Sequence, residues 1–374
     1  MHLRNLSLLH FKNFGQAEIE FCPRINCFTG KNGVGKTNLL DAVHYLSLTK
    51  SYFNPIDAQN IQHGKEFMVV QGKFDRDGNE ESIYCGIKRT QKKQFKRNKK
   101  EYQRLADHIG FLPVVMISPA DNVLITEGSE ERRKFINSVI SQYDHEYLED
   151  VVRYNHTLLQ RNKLLKDAGN GQALDQDLVE ILNEQLAGPG ERIFRKRSEF
   201  ARSLIPVFQK YYSFISYGRE QVNVVYQSHL EKYDFRMLLR ENLMKDKVLQ
   251  YTSQGIHKDD LLLTLDGYPI KRIGSQGQQK TLMVALKLAQ FDFIRENNGQ
   301  IPLLLLDDIF DKFDHDRVKQ VIHLVAEDHF GQIFVADTNK NRIEAVLAEL
   351  HSDYRIFSIE DSGAVVISES DEKK

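Results

Sequence analysis

The octet Gly30-Lys31-Asn32-Gly33-Val34-Gly35-Lys36-Thr37 leaves few folds open to this chain of 374 residues. It fits the phosphate-binding pattern G-x-x-x-x-G-K-[ST] without deviation. The apolar run 25–28 precedes it, and good helix formers follow from Lys36 to about Leu48, so the order is strand, glycine loop, helix. Glycines let the backbone wrap phosphates, Lys36 reaches the β and γ oxygens, and the Thr37 hydroxyl ligates Mg2+. Asn38, next on the helix, joins the nucleotide-binding set. Such a unit belongs to an α/β sheet.

A second stretch supplies the other half of the chemistry. Residues 303–308 read Leu-Leu-Leu-Leu-Asp-Asp. Four leucines predict a parallel strand buried on both faces, carrying two carboxylates to its C-terminal edge, where open α/β sheets bind ligands. There Asp307 is expected in the Mg2+ shell and Asp308 to orient the attacking water. Alone, such a strand signals no more than a helix cap. Beside a phosphate loop it signals an ATPase.

Between these motifs the character of the chain changes. Residues 3–10 alternate as a strand does, 71–104 read as strands with turns at Asp77-Gly78 and Asn98-Lys99, and 113–118 as a buried strand. From Ser129 onward, Phe135/Ile136, Val139/Ile140, Tyr147/Leu148, Val151/Val152 and Leu158/Leu159 form an amphipathic helical stripe. A second helical region covers about 174–216, with Gly188-Pro189-Gly190 interrupting or kinking it. Strand signals return at 222–226, 259–267, 301–306 and 332–336, and helices come after 275 and cover about 315–327. The expectation is one α/β sheet built from 1–118 and 255–374, with a mainly helical second lobe, 119–254, inserted between its halves.

Composition narrows the setting. Hydrophobic residues at 41% and charged residues at 28% describe a soluble globular chain, and a net charge of −1 restricts any nucleic-acid contact to local patches. Cys22, Cys27 and Cys85 are odd in number and lack metal-ligand spacing, which argues for a reducing compartment. The first residues lack the apolar core of a signal peptide, and no run approaches a membrane span. A cytoplasmic protein without a membrane partner is expected.

A second glycine loop, Gly274-Ser275-Gln276-Gly277-Gln278-Gln279-Lys280, stands ahead of another helix, where unpaired N–H groups and the helix dipole favour an anion. Its position just before the acidic strand, far from the phosphate loop, resembles the ABC-type ATPase head with its S-G-G-Q signature. The resemblance implies that Ser275, Gly277 and Gln278 act in trans, on the nucleotide of a second copy, with Ser275 joining Lys36 and Asp308 as a catalytic group. It also implies a dimer-contact loop at 310–314, with Asp314 the candidate, and a switch residue at Asp337 or Thr338. Transporter heads usually carry S-G-G-Q and an acidic strand ending in Asp-Glu, whereas this chain has Ser-Gln-Gly-Gln and Asp-Asp. SMC proteins insert coiled coils of hundreds of residues; two helices in 119–254 reach roughly 50–60 Å at most.

From about residue 3 to 340, and in overall length, the chain resembles the RecF family of bacterial recombination mediators. The stretches "LLHFKNF", "GKNGVGKTNLLDAVHYLSL", "SPADNVLITEGSEERRKFIN", "GIHKDD", "GSQGQQKTLMVALKLAQ" and "LLLLDDIFDKFD" carry that resemblance in order. Ile256 and Lys258 depart from the commoner Pro and Arg. The resemblance implies a slow, DNA-dependent ATPase that uses ATP and Mg2+ and forms an ATP-dependent homodimer. It implies binding to duplex DNA and to single/double-strand junctions, and work with RecR and RecO to load RecA onto SSB-coated DNA in replication-linked repair and the SOS response. A transporter ATPase subunit and a structural SMC-like protein are the alternatives. Lys12, Asn13 and Phe14 are adenine-contact candidates by the same resemblance.

The segment 88–104 is strongly basic. Lys92, Lys93, Lys96, Arg97, Lys99 and Lys100, interleaved with Phe95 and Tyr102, are the DNA candidates, since phosphate contacts need such cations. A solvated hairpin edge is the competing reading. Arg132 and Arg133 are expected in internal ion pairs, and His257 to Asp260 in structural or interfacial roles.

Overall fold

The computed structural model describes residues 1–310, 313, 315–326, 329–348, 353–360 and 365–371. In chain order its strands are β1 (His2–Phe11), β2 (Phe14–Glu20), β3 (Ile25–Thr29), β4 (Phe67–Arg76), β5 (Asn79–Lys88), β6 (Gln94–Arg97), β7 (Lys100–Glu101), β8 (Val114–Ile117), β9 (Val222–Gln227), β10 (Asp260–Leu265), β11 (Tyr268–Pro269), β12 (Leu303–Asp307), β13 (Ile333–Ala336), β14 (Tyr354–Ile359) and β15 (Val365–Asp371). They form three sheets, in the orders β2-β1-β4-β5-β6-β7, β15-β14-β3-β13-β12-β8 and β11-β10-β9.

Two compact units result, Met1–Asp121 with Val284–Lys374, and Asn122–Met283. The first holds two six-stranded sheets, where the sequence suggested one. The cause is a difference in period. Strands β4 and β5 alternate buried and exposed residues, as an antiparallel meander with one wet face must. Strands β3, β8, β12 and β13 are buried at every position and pair in parallel. The helix Lys36–Leu48 meets β4 and β5 on one side and β8, β12 and β13 on the other. Apolar residues therefore surround it, and Leu40, Val43, Leu46, Phe28, Phe74 and Leu305 share one core.

The second unit is built on the helices Ser129–Ile140, His145–Gly169 and Gln176–Ser216. The stripe read as one helix breaks at Asp144, whose carboxylate accepts the Tyr147 N–H at 2.9 Å and starts the next helix. The 41-residue helix Gln176–Ser216 runs unbroken through Pro189 and Pro206. Gly190 is required there for packing, because a Cβ would stand 2.5 Å from the Phe235 ring. Residues 255–283, expected with the head, lie in this unit. Strand β10 pairs with β9 at six positions from Asp260↔Gln227 to Leu265↔Val222. Arg132 grips Asp260 at 2.6 and 3.0 Å, and buried Arg197 holds Asp259 at 2.7 Å. Arg133 instead donates to the Asp259 carbonyl and the Ser129 hydroxyl, both at 2.7 Å.

Candidate nucleotide site

Four parallel strands end at one edge of the second sheet and bring their next residues together. Phe28 of β3 stands beside Ala336 of β13, Ala336 beside Asp307 of β12, and Leu306 beside Ile117 of β8. The chain runs on from β3 into the phosphate loop, from β13 into Asp337, from β12 into Asp308 and from β8 into Ser118. This is the edge at which parallel α/β sheets bind ligands.

The loop leaves β3 with Gly30 at φ 145° and enters its helix with Gly35 at φ 113°. A Cβ on Gly30 would lie 2.6 Å from the Ile359 carbonyl oxygen, and one on Gly35 would strike the Asn13 amide. Lys31, Asn32 and Gly33 form an exposed rim, while Val34, Gly35 and Lys36 are buried. The Lys36 ammonium donates to the carbonyls of Gly30 at 2.7 Å and Lys31 at 2.8 Å. Burial lowers its pKa, and the carboxylates of Asp308, Asp307 and Asp337 oppose that shift.

Thr37 Oγ1 donates to Asp307 Oδ1 at 2.8 Å, and Ser118 Oγ to Asp307 Oδ2 at 3.2 Å. Desolvation raises the Asp307 pKa against those two hydrogen bonds, with Asp308 adding to the rise. A buried carboxylate beside a hydroxyl is an all-oxygen donor pair of the kind a hard cation takes. Mg2+ is usually held by one or two protein oxygens plus substrate phosphates. Among the described residues no group of three or more His, Cys, Asp or Glu suited to a metal occurs. Asp308 has φ 45°, in the left-handed region that Asp tolerates better than most residues, and its N–H donates to Ala336 O at 2.9 Å.

Asn13, an adenine-contact candidate from the sequence, bonds directly to the phosphate loop. Its Nδ2 donates to Val34 O at 2.7 Å, and its Oδ1 accepts from Asn38 Nδ2 at 2.7 Å. It braces the loop from outside, and Asn38 supports that brace. Lys12 pairs with Asp41 at 2.5 Å, and Phe14 is fully buried, so it offers no face to a base. Asp337 is buried and accepts the Asn339 N–H at 2.8 Å, whereas Thr338 is exposed. Asp314 lies outside the described residues.

The second glycine loop lies in the other unit. Ser275 Oγ accepts the Gln278 N–H at 3.2 Å, while Gln278 Oε1 accepts the Ser275 N–H at 2.8 Å. This reciprocal capping box starts the helix Gln276–Asn298, with Gly277 inside its first turn.

Of the six DNA candidates, Lys92, Lys99 and Lys100 are exposed. Lys93 turns inward to Asp57 at 2.8 Å and Thr49 O at 2.7 Å. Arg97 is bidentate to Glu81 at 2.6 and 2.9 Å, and Lys96 lies over the Tyr84 ring. Phe95 is a core residue packed on His108, not a platform for bases. The sequence showed the charge but not its direction.

A phosphate loop, an acidic parallel strand, a separate glycine-led helix and an inserted helical unit together define an ABC-type ATPase head. The RecF/RecN/SMC N terminal domain matches residues 2–362. The DNA replication and repair protein RecF of Phocaeicola vulgatus is 54% identical over 363 residues, covering 96% of this chain and 97% of that one. A solved structure of the recombination mediator protein RecF-ATP in the RecFOR pathway superposes with a TM-score of 0.87 at 30% identity, covering 98% of this chain and 97% of the other. An Smc head bound to the C-winged helix domain of ScpA shares the fold at TM-score 0.61 and 15% identity, covering 98% of this chain and 97% of that one. The chain belongs to the RecF family. Among the described residues no helix is long and apolar enough to cross a membrane.

Proposed function

We infer that the protein is an ATP-dependent, DNA-binding recombination mediator. ATP enters the phosphate loop, with Lys36 at its β and γ oxygens. Thr37 and Asp307 would hold Mg2+, which would neutralise phosphate charge there. Asp308 orients the attacking water, and its side chain, shorter than Glu, keeps hydrolysis slow. Ser275, Gly277 and Gln278 complete the site of a second copy, so nucleotide favours the homodimer through differential affinity. Asp308, Lys36 and Ser275 are then the catalytic groups. Exposed cations of the 88–100 edge meet the phosphates of duplex DNA or a gap junction. RecR and RecO are the partners, and RecA loading on SSB-coated strands is the outcome.

One observation carries the reading. The Thr37 hydroxyl meets the Asp307 carboxylate at 2.8 Å beside the phosphate loop, and this supports the reading of a nucleotide site that a glycine-led helix of a second copy completes. Sizing with a hydrolysis-blocked ATP analogue, with and without duplex DNA, tests it. Lys36→Arg and Ser275→Arg are each expected to abolish ATP-driven pairing or turnover, and mixing them to restore one composite site. A nucleotide-loaded protein that stays monomeric at every concentration sinks the reading.

A further inference from the structure

Lys287 stands in the apolar middle of the helix Gln276–Asn298, yet it is only 5% exposed. Its ammonium lies 2.7 Å from Asp121 Oδ1 and 3.1 Å from the Tyr52 hydroxyl, which itself donates to Asp121. Asp121 is 4% exposed. Replacing such a buried ion pair by apolar residues of similar volume is often neutral or stabilising, so stability does not account for it.

The surroundings suggest another use. Asp121 Oδ2 accepts the Ser118 N–H at 2.8 Å, and the Asp121 N–H donates back to Ser118 O at 2.9 Å. That closed turn fixes Ser118, whose Oγ reaches Asp307. The Tyr52 N–H donates to Asp41 Oδ1 at 2.6 Å, and Asp41 lies one helical turn after Thr37. Tyr52 is therefore tied through its backbone to the helix that carries Thr37, and through its hydroxyl to the turn that braces Asp307. The two candidate metal-holding oxygens share one support.

We propose that Tyr52, Asp121 and Lys287 are positioning residues that set the Thr37–Asp307 pair for the divalent cation, acting through Ser118 and Asp41. The proposal rests on the reading of Asp307 as a metal-holding carboxylate. Groups behind a metal ligand orient it, and their loss typically costs about 10–100-fold in metal affinity. Tyr52→Phe removes only a hydroxyl, and Ser118→Ala removes the donor to Asp307 together with a long contact to the Ala120 N–H. In ATP-loaded protein, Mn2+ affinity measured by electron paramagnetic resonance is expected to fall about tenfold in Ser118→Ala and about three- to tenfold in Tyr52→Phe. ATP affinity in chelator is expected to stay at the wild-type value in both. Lys287→Met is expected to show the larger loss; if it fails to fold, Tyr52→Phe carries the test. Wild-type Mn2+ affinity in Tyr52→Phe, with or without lower thermal stability, overturns the proposal. Asp307→Ala with undiminished Mn2+ affinity would instead overturn the underlying assignment of the metal site.

Discussion

Thr37 and Asp307 stand 270 positions apart in the chain and share a 2.8 Å hydrogen bond from Thr37 Oγ1 to Asp307 Oδ1. Burial raises the Asp307 pKa, so the native state holds that proton more tightly than the unfolded chain does. Its stabilising contribution is complete below the ordinary carboxylate range and is lost as pH rises through the raised value. At neutral pH the ionised carboxylate therefore weighs against folding. Asp307→Asn is expected to leave stability unchanged or raise it by about 1 kcal/mol while Mg2+-dependent ATP turnover collapses, the usual trade at a functional site. Thermal unfolding and a steady-state ATPase assay on the same preparation check both halves.

Asn13 and Gly35 meet at the mouth of the phosphate loop. Ala at position 35 would have to hold φ 113° and push aside an amide that supports the loop at Val34. Left-handed backbone alone costs a non-glycine residue roughly 1–2 kcal/mol. Gly35→Ala should thus lose ATP binding while most of the fold survives, and Asn13→Ala should weaken it less. Calorimetric titration of each variant with ATP, alongside circular dichroism, separates loop damage from unfolding.

These residues mark where the sequence could be read and where it could not. The glycine octet and the leucine strand were legible because their chemistry is local. A loop with positive φ asks for glycine, and a strand buried on both faces asks for leucine. Asn13, Ser118 and Lys287 were not, because each acts through a contact made only when distant segments pack. A lysine in a helical run reads as a solvated face until the partner carboxylate, here Asp121, is in view. The basic edge hid contacts of the same long-range kind. Asp57 and Glu81, upstream in the chain, pair with Lys93 and Arg97. Helix limits went astray where one polar contact decides them, at the Asp144 cap, or where packing overrides a breaker, at Pro189.

Lys92, Lys99 and Lys100 differ from Arg97 in a way that DNA titrations can resolve. If the edge binds duplex, each phosphate contact removed lowers the salt slope of binding by about 0.9. Changing the three lysines to Gln is expected to weaken binding uniformly across sequences and flatten that slope, with no change in stability. Arg97→Gln is expected to leave the slope alone. It costs up to about 1 kcal/mol of stability instead, because the Glu81 carboxylate, held below its usual pKa chiefly by Arg97, loses a solvent-screened bidentate donor but keeps the one from Asn98. Fluorescence anisotropy over a range of salt concentrations, with denaturation of the same variants, distinguishes the two.

His44, His108 and His257 are buried as neutral imidazoles, and burial depresses each pKa to about 4. For His108 the bonding fits one tautomer: Nε2 donates to Leu46 O at 2.7 Å, leaving Nδ1 to accept from the Tyr102 hydroxyl at 3.0 Å. Between the ordinary histidine pKa of 6.5 and about 4 the unfolded chain binds protons that the native state refuses, so stability falls as pH falls through that window. Above it the stabilisation is complete. Each such histidine contributes a slope of about 1.4 kcal/mol per pH unit. Urea denaturation at pH 7.5, 6 and 5 is expected to show the midpoint dropping on acidification. His108→Gln is expected to lower the midpoint at pH 7.5 yet reduce its dependence on pH by one proton's worth. A midpoint that is flat from pH 7.5 to 5 would show that these rings accept protons without unfolding the chain.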